Sequence, residues 1–410
     1  MESIRVRKIY TNELSRICFY CLFILFWCEH TVFNYAIQIF RRIPIIGQFY
    51  LGVIPFFTLI LLVLSFPYLM KGIKGEDILF YCVCIIVILL TMVVFPKNAP
   101  YIQKDLWKII GMTIPLYFIG LRYDHNRFKE ILYYASLIGV ILTFLYQIYY
   151  LSSGRELNPD NMGAAYNLLP SLLYLIYGAF EKKKLLYWII VIVSFPIIFI
   201  FGTRGPMLTC VVFFVVEMFI KVISNKSFLL KFLFFCFCIG AFWFVFYTDA
   251  IFTLAKFLSD KFKHYGFSTR IFDFFLKGDI ALSTGRDNLQ NSIIHSILKF
   301  PVFGDGLMGD RVISGNYVHN LFLEIWCDFG VVIGTGVLFV LICIPVKALY
   351  KERSDSWNFY FILMLVCLVF TKLMLSGSYI TEPYLFLLLG LCVGTIRKNK
   401  KNSLCVAYYQ

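Results

Sequence analysis

The chain has 410 residues, of which 60% are hydrophobic and 15% are charged, and it carries a formal net charge of +14 at pH 7. Soluble domains contain about 45–50% apolar and about 25% charged residues, so this composition excludes a single soluble core. No basic run is interleaved with solvent-facing aromatic residues, and we therefore predict that the charge does not serve nucleic-acid binding.

Runs of about twenty mostly apolar residues recur along the chain, and helices of that length cross a hydrocarbon layer of about 30 Å. The sequence therefore predicts an all-α integral membrane protein with about twelve transmembrane helices. The first helix has a basic start but no cleavage site, which predicts that it is retained. The predicted spans are 17–39, 49–70, 77–95, 106–121, 129–151, 164–180, 185–201, 206–223, 228–248, 331–350, 358–375 and 381–396.

Lysine and arginine residues are concentrated on one side of these spans. They cluster in the N-terminal tail, in the connections near 71–74, 122–129, 182–184, 221–231 and 347–353, and in the tail 397–401. Cytoplasmic connections of membrane proteins carry such an excess of basic residues. The pattern predicts that both termini lie in the cytoplasm.

One connection, residues 249–330, is much longer than the others, and the topology places it outside the cytoplasm. It divides the chain into 1–248 with the first nine spans, the loop itself, and 331–410 with the last three spans and a cytoplasmic tail. Long loops in compact bundles are usually functional. Segments 251–262 and 288–299 are amphipathic, which predicts helices that lie at headgroup level or pack on the bundle.

Two arginines lie where an anion is expected. Arg204 lies in the outer turn Gly202-Thr203-Arg204-Gly205-Pro206, and Arg286 lies in Ser283-Thr284-Gly285-Arg286-Asp287 at the start of an amphipathic helix. A guanidinium keeps its charge and offers a planar fork suited to a diphosphate, and helix N-terminal amides also favour anions. The alternative for Arg204 is an arginine that snorkels to the interface, and this explains the residue when it is taken alone.

His319 and Asn320 lie where the long loop returns to the membrane, within Tyr317-Val318-His319-Asn320-Leu321-Phe322-Leu323-Glu324. Glu324 follows Asn320 by about one helical turn, on roughly the same face. With an ordinary pKa near 6.5, a histidine is suited to take a proton at neutral pH. The alternative is a polar residue at the interface with no chemical role.

Two further patterns are interpreted as structural. Residues 304–309 spell Gly-x-Gly-x-x-Gly, but no buried strand precedes them, so they predict a turn rather than a dinucleotide site. A nest of backbone amides that binds a phosphate is the alternative there. The thirteen cysteines lie almost entirely inside predicted spans, and we predict neither a disulfide nor a metal site.

Taken in order, these motifs resemble the shared core of the O-antigen polymerase and O-antigen ligase superfamily. The resemblance rests on Thr203-Arg204-Gly205, then Gly285-Arg286-Asp287, an apolar helix, Pro301 and a glycine-rich turn, and finally His319-Asn320 with Glu324 four residues after the asparagine. Asn158-Pro159-Asp160-Asn161 is similar to an asparagine-rich turn of those proteins. The resemblance covers about 155–335.

The resemblance implies a glycosyltransferase of the bacterial inner membrane with a periplasmic active site, no metal and no cofactor. Its donor would be a glycan on undecaprenyl diphosphate, its acceptor a second lipid-linked repeat unit, and its partner a chain-length regulator protein. It further implies roles for eight residues: Arg204 and Arg286 on the diphosphate, His319 as the base or as the group that orients the acceptor hydroxyl, Asn320 and Glu324 positioning it, Arg270 and Arg311 on the diphosphate or glycan, and Tyr317 at the sugar.

A polymerase is favoured within the superfamily because Gly309-Asp310-Arg311 precedes the histidine and Asp328-Phe329-Gly330 follows it, as in the polymerases. The alternative is an O-antigen ligase, which uses the same donor and transfers the glycan to lipid A-core. The motifs do not separate the two activities.

A lipid-linked glycan flippase or another transporter is the second alternative. It would use the ionisable residues Glu29, His30 and Lys372, which lie inside predicted spans. Glu217 and Lys221 are four residues apart and predict a simple ion pair. Most polar residues gather at the outer face rather than at mid-membrane, which favours the enzyme.

Overall fold

Every element that the computed structural model describes is a helix, as the sequence predicts. The structure describes residues 2–28, 46–152, 162–182, 185–200, 204–224, 236, 250–264, 269, 272, 276, 286–353 and 356–408. The helices are α1 (Glu2–Cys28), α2 (Ile46–Met70), α3 (Gly75–Val94), α4 (Ala99–Lys108), α5 (Ile114–Arg122), α6 (His125–Ser152), α7 (Met162–Lys182), α8 (Leu185–Ile200), α9 (Arg204–Ser224), α10 (Ala250–His264), α11 (Arg286–Lys299), α12 (Gly309–Ser314), α13 (Leu321–Glu352), α14 (Ser356–Leu375) and α15 (Pro383–Tyr408). A π-helical turn, Ile109–Thr113, joins α4 to α5.

Several of these helices are suited to a bilayer. Within the described residues, five segments are long and apolar enough to cross a membrane: Gly75–Val94, Phe128–Leu145, Gly205–Ile223, Leu321–Glu352 and Trp357–Leu375. Large apolar side chains on them are exposed, for example Val93 at 78% and Phe339 at 68%. The protein is therefore of the multi-pass membrane class, while the count of twelve and the inner membrane stay predictions. The predicted span 228–248 lies outside the described residues except for Cys236.

The described helices form two compact units. One contains α1–α5 and α11–α15, the other contains α7–α10, and α6 crosses the boundary between Leu132 and Tyr133. The long predicted loop is shared, because α10 belongs to one unit and α11 and α12 to the other. The division of the chain at 248 and 330 follows the predicted membrane topology and stays a prediction.

Glycines bring the main chains of α5 and α15 together in the first unit. A Cβ on Gly390 would overlap the carbonyl of Tyr117, and one on Gly394 would lie 2.7 Å from the carbonyl oxygen of Leu121. Gly120 lies equally close to the main chain of α15. Small residues at such interfaces are the usual means by which membrane helices approach closely.

Connections that the sequence assigns to one side of the membrane meet at one end of this unit. Arg397 Nη1 lies 2.6 Å from Asp77 Oδ2. Lys398 donates to the carbonyl of Tyr123 and Lys351 donates to the main chain of α15, each across 3.3 Å. These contacts agree with the predicted grouping of basic connections, and the assignment of that end to the cytoplasm stays a prediction.

Near its start, α13 is broken. Gly330 has φ 74° and ψ 168°, so residues 321–329 and 331–352 are separate helical stretches. The second stretch is about 33 Å long at 1.5 Å per residue, which is enough to span a bilayer alone. This second stretch corresponds to the predicted span 331–350. The first stretch, 321–329, carries Glu324 and Asp328, which belong to the candidate site.

The second unit is built around α7. Residues 165–180 are almost all buried, which is typical of a helix enclosed by others. The predicted pair in α9 is present, because Lys221 Nζ lies 3.2 Å from Glu217 Oε1 and 3.9 Å from Glu181 Oε1.

Candidate functional site

The glycine-rich segment 304–309 packs on the break in α13. The main-chain N–H groups of Asp305 and Gly306 donate to the carbonyls of Cys327 and Asp328 across 2.7 and 3.1 Å. Those carbonyls end the stretch 321–329 and have no partners within it. The two amides are therefore engaged and are not available to a phosphate. The Gly-x-Gly-x-x-Gly pattern is a turn, as predicted, and it terminates a helix.

The glycines of this turn are required by its shape. Gly304 has φ 65° and Gly306 has φ 76°, a region that glycine enters without strain. A Cβ on Gly304 would collide with the carbonyl of Cys327, and one on Gly306 would lie 2.6 Å from the ring of Phe95. The turn can therefore lie directly against α13.

Asn98 holds the turn from the other side. Its Nδ2 donates to the carbonyls of Asp305 and Leu307, each across 2.9 Å, and its side chain is buried. The connection between α3 and α4 is thereby joined to the loop that precedes α12.

Acidic residues and an arginine are buried between α12, α13 and the connection that precedes α15. Asp310, Glu324 and Asp328 are at most 1% exposed, and Arg311 is 6% exposed. Arg311 Nη1 lies 3.1 Å from Asp310 Oδ1 and 3.6 Å from Glu324 Oε1. We refer to these four residues as the acidic cluster. In the part of the chain that the structure describes, no group of three or more histidine, cysteine, aspartate or glutamate side chains could hold a metal ion.

Burial and charge act in opposite directions within the acidic cluster. Burial raises the pKa of Asp310, although Arg311 and two N–H donors favour its charged form. Burial alone would lower the pKa of Arg311, but Asp310 and the other acids hold that pKa above its usual value. Arg311 therefore keeps its positive charge and serves as the cation of the cluster.

Two residues of the connection between α14 and α15 donate hydrogen bonds to the acids of the acidic cluster. Arg311 Nη2 donates to Ser378 Oγ across 2.8 Å, and the hydroxyl of Ser378 donates to Glu324. The hydroxyl of Tyr379 donates to Asp328 Oδ2 across 2.7 Å. Burial and the neighbouring Asp328 raise the pKa of Tyr379, so its hydroxyl stays a donor at neutral pH. No sequence motif marks these two residues, and sequence reasoning missed them.

His319 lies in a strained turn next to the acidic cluster. Its φ is 57°, a left-handed conformation that costs a residue other than glycine about 1–3 kcal/mol. The preceding residue, Val318, is fully buried against Ile293 and Ile297 of α11. The N–H of Val318 donates to Asp310 Oδ2 across 3.0 Å. The backbone that carries His319 is therefore anchored immediately before it.

Tyr317 and Asn320 fix the same turn on its other sides. The ring centroids of Tyr317 and His319 are 4.1 Å apart, and the Tyr317 hydroxyl donates to the carbonyl of Ser376 across 2.8 Å. Asn320 Oδ1 accepts two N–H groups at the start of α13, at 3.0 and 3.2 Å, and so caps that helix. Asn320 therefore fixes the start of α13 directly after His319, and its predicted role in positioning the histidine stays a prediction.

Five of the eight predicted residues thus lie in one part of the first unit, namely Arg311, Tyr317, His319, Asn320 and Glu324. Glu324 accepts hydrogen bonds from the hydroxyl of Ser378 and from the N–H of Tyr379. Its contacts tie α13 to the connection before α15. The predicted role of Glu324 beside His319 stays a prediction.

The candidate arginines differ in what the structure says of them. Arg204 is the first residue of α9 and Arg286 the first residue of α11, the helix start that the sequence predicts. Their side chains and the whole of Arg270 lie outside the described residues. Arg311 points its guanidinium at Asp310, Glu324 and Ser378, which indicates a structural role. Its binding of diphosphate or glycan stays a prediction.

Of the residues invoked for a transporter, Glu29 and His30 lie outside the described residues. Lys372 Nζ lies 2.7 Å from Glu382 Oε2, and Glu382 is 3% exposed. Lys372 therefore has a structural partner at the end of α14.

Comparison with known proteins bears on the segment that holds the site. Residues 189–338 match the family model described as O-antigen ligase. The match confirms the resemblance to the O-antigen polymerase and ligase superfamily. The O-antigen ligase family covers both ligases and polymerases and consists of glycosyltransferase-like enzymes of lipopolysaccharide biosynthesis. All eight predicted residues lie inside the matched segment, whereas Ser378 and Tyr379 lie beyond it. No curated protein and no solved structure matches the chain.

Proposed function

We propose that this protein is an O-antigen polymerase. It joins undecaprenyl-diphosphate-linked repeat units at the periplasmic face of the inner membrane and releases undecaprenyl diphosphate. The observation that carries the proposal is the turn around His319, which lies in the matched segment and is anchored to the buried acidic cluster. Strained residues persist where their surroundings over-determine them, and they occur preferentially at active sites.

In the proposed reaction, the acceptor hydroxyl oxygen bonds to the anomeric carbon of the donor as the bond from that carbon to the diphosphate breaks. The hydroxyl proton passes to His319, and the electron pair leaves with the diphosphate oxygen. Arg204 and Arg286 stabilise the charge of the leaving diphosphate, because fixed guanidinium groups act most strongly where charge develops. The reaction as proposed uses no metal and no cofactor.

Tyr317 is proposed to line the sugar site, because its ring lies against that of His319 at 4.1 Å. An aromatic ring beside the base offers a sugar an apolar face to pack on. Arg270 is proposed to contact the diphosphate or glycan. A chain-length regulator is the proposed protein partner.

O-antigen ligase is the second candidate function, and the description of the matched family model favours it. A ligase would use the same donor and the same residues, and would transfer the completed glycan to lipid A-core. A lipid-linked glycan flippase is the remaining alternative, but Lys372 has the partner Glu382, which accounts for it without transport.

The deciding experiment incubates the purified protein in nanodiscs with lipid-diphosphate-linked repeat units and resolves the products on a gel. A ladder of products establishes the polymerase. A conjugate that forms only when lipid A-core is added establishes the ligase instead. Absence of both products, together with movement of the lipid-linked unit across proteoliposomes, would overturn the enzyme in favour of a flippase.

His319→Ala and His295→Ala form a matched pair for this assay. His295 is an exposed histidine of α11 outside the proposed site, so its loss should leave the ladder unchanged. Loss of His319 should slow formation of the ladder by about a hundredfold or more. In cells, deletion of a polymerase leaves a single repeat unit on the core, whereas deletion of a ligase leaves none.

A further inference from the structure

Asp310 is a fully buried carboxylate that uses both of its oxygens. Oδ1 accepts from the N–H and the guanidinium of Arg311 at 2.9 and 3.1 Å, and Oδ2 accepts from the N–H of Val318 at 3.0 Å. Aspartate is rarely buried completely unless it is paired. Here the pairing joins α12 to the residue immediately before His319.

The position of Asp310 is fixed by the ends of α12. Met308 precedes the helix with φ 62° and is fully buried, and Gly315 follows it with φ 74°. The N–H of Gly315 donates to the carbonyl of Arg311 across 2.8 Å, and the hydroxyl of Ser314 donates to the carbonyl of Asp310 across 2.7 Å. A short helix closed at both ends holds its first side chains in one place.

Within the acidic cluster, Asp310 is the acid that accepts a hydrogen bond from the turn around His319, through the N–H of Val318. Glu324 and Asp328 accept the hydroxyls of Ser378 and Tyr379 and so hold the connection before α15. The left-handed backbone of His319 requires support, and a hydrogen bond to a buried carboxylate contributes on the same scale as that strain.

We propose that Asp310 is a positioning residue that fixes the backbone of His319 through the N–H of Val318, with Arg311 as its counter-ion. The inference rests on the proposed function, in which His319 takes the acceptor proton. Asp310 has no exposed surface, so it acts through the turn and does not touch the substrate.

Asp310→Asn is the informative substitution, because it keeps the volume and removes one acceptor. In Asp310→Asn the single amide oxygen would face Arg311. The amide NH2 group would then face the N–H of Val318, and because both groups are donors the hydrogen bond to Val318 would be lost. We expect kcat to fall by about tenfold to a hundredfold while KM changes by less than about twofold, because a small displacement of a catalytic group has effects of this order. Asp305→Asn is the matched control: Asp305 accepts the Ser296 hydroxyl at 2.6 Å, which an asparagine oxygen also accepts, so kcat should be unchanged.

A double-mutant cycle separates positioning from general loss of structure. In a His319→Ala background, Asp310→Asn should change the residual rate by less than about twofold, because its effect passes through the missing side chain. A tenfold effect in both backgrounds would show that Asp310 only supports the fold, and would overturn the proposal.

Hydrogen exchange gives a test that is independent of activity. In Asp310→Asn, peptides that cover residues 316–320 should exchange at least about tenfold faster than in the unaltered protein, the scale set by one hydrogen bond to a charged group. Exchange in α14 should be unchanged. Equal exchange of 316–320 in both proteins would overturn the proposal. Exchange could be faster in Asp310→Asn while the unaltered protein forms neither the ladder nor the lipid A-core conjugate. That result would confirm the contact between Asp310 and Val318 and would refute the proposed function.

Discussion

The side-chain amide of Asn98 donates a hydrogen bond to the carbonyl oxygen of Leu307 across 2.9 Å, although the two residues are 209 positions apart. The same amide donates to the carbonyl of Asp305 at the same distance. Asn98→Ala would leave two carbonyls without this donor, at a cost of about 1–3 kcal/mol each where no water reaches them. Thermal unfolding in detergent should therefore show a clear loss of stability.

Asn98→Asp is a sharper variant of the same test. It keeps the size of the side chain but directs a carboxylate at two carbonyl oxygens, so it should destabilise the protein more than the alanine does. Lys97→Ala, at the exposed neighbouring position, serves as the control. If Asn98→Ala and Lys97→Ala unfold at the same temperature, the contact contributes nothing to stability.

Alanine at Gly304 and at Gly315 should differ in cost, although both glycines have positive φ. Nothing lies within 4 Å of a Cβ on Gly315, so that substitution carries only the left-handed strain of about 1–3 kcal/mol. A Cβ on Gly304 would in addition collide with the carbonyl of Cys327. We expect Gly304→Ala to unfold at the lower temperature. Equal losses would mean that the turn moves away from α13 without cost.

The arginines should separate into structural and chemical groups. Arg311→Ala leaves buried carboxylates without their cation, and breaking such a pair costs about 3–5 kcal/mol. Arg204→Ala and Arg286→Ala should instead abolish the transfer reaction with little change in unfolding temperature. Unfolding curves and the gel assay on the same preparations test this. A stable Arg311→Ala protein, or an active Arg286→Ala protein, would contradict the assignment.

Stability should depend on pH through Asp310. Because burial raises the pKa of Asp310, there is a window above its ordinary value of about 4 in which the folded protein retains a proton that the unfolded chain has released. The contribution of this retained proton to the free energy of unfolding is therefore fully present below about pH 4, and it is lost as the pH rises through the raised pKa of Asp310. Asp310→Asn has no such proton, so its unfolding temperature should fall less as the pH rises above about 4. Parallel curves for the two proteins would refute the expectation.

Membrane helices were the most predictable part of this fold. The span predicted at 77–95 is observed as the candidate membrane span Gly75–Val94, and a helix, Leu185–Ile200, is observed where the span 185–201 is predicted. Lipid-facing and buried side chains are both apolar, so such helices appear as uninterrupted apolar runs. The buried faces of the amphipathic segments were less predictable: within 288–299, Ile293 and Ile297 are buried, whereas the equally apolar Leu298 is 72% exposed.

The candidate site was predictable only where it is local in sequence. His319 and Asn320 are adjacent, and the residue types alone indicate a base at a helix start. Ser378 lies 54 positions after Glu324, and only the folding of α14 back along α13 brings them together. The sequence marks Asp310 only as part of Gly309-Asp310-Arg311, because nothing in it shows that this carboxylate accepts from the N–H of Val318.

Glycine and alanine at position 319 should separate the chemistry of the histidine from the strain of its backbone. Both substitutions remove the imidazole, so both should reduce transfer by about a hundredfold or more, the usual range for a general base. Glycine adopts a φ of 57° without strain, whereas alanine bears the left-handed cost, so His319→Gly should be more stable than His319→Ala by about 1 kcal/mol. Thermal unfolding and the gel assay give the two quantities independently. If the glycine variant were the less stable one, the turn would not be strained; if either variant kept full activity, the base would have to be another residue.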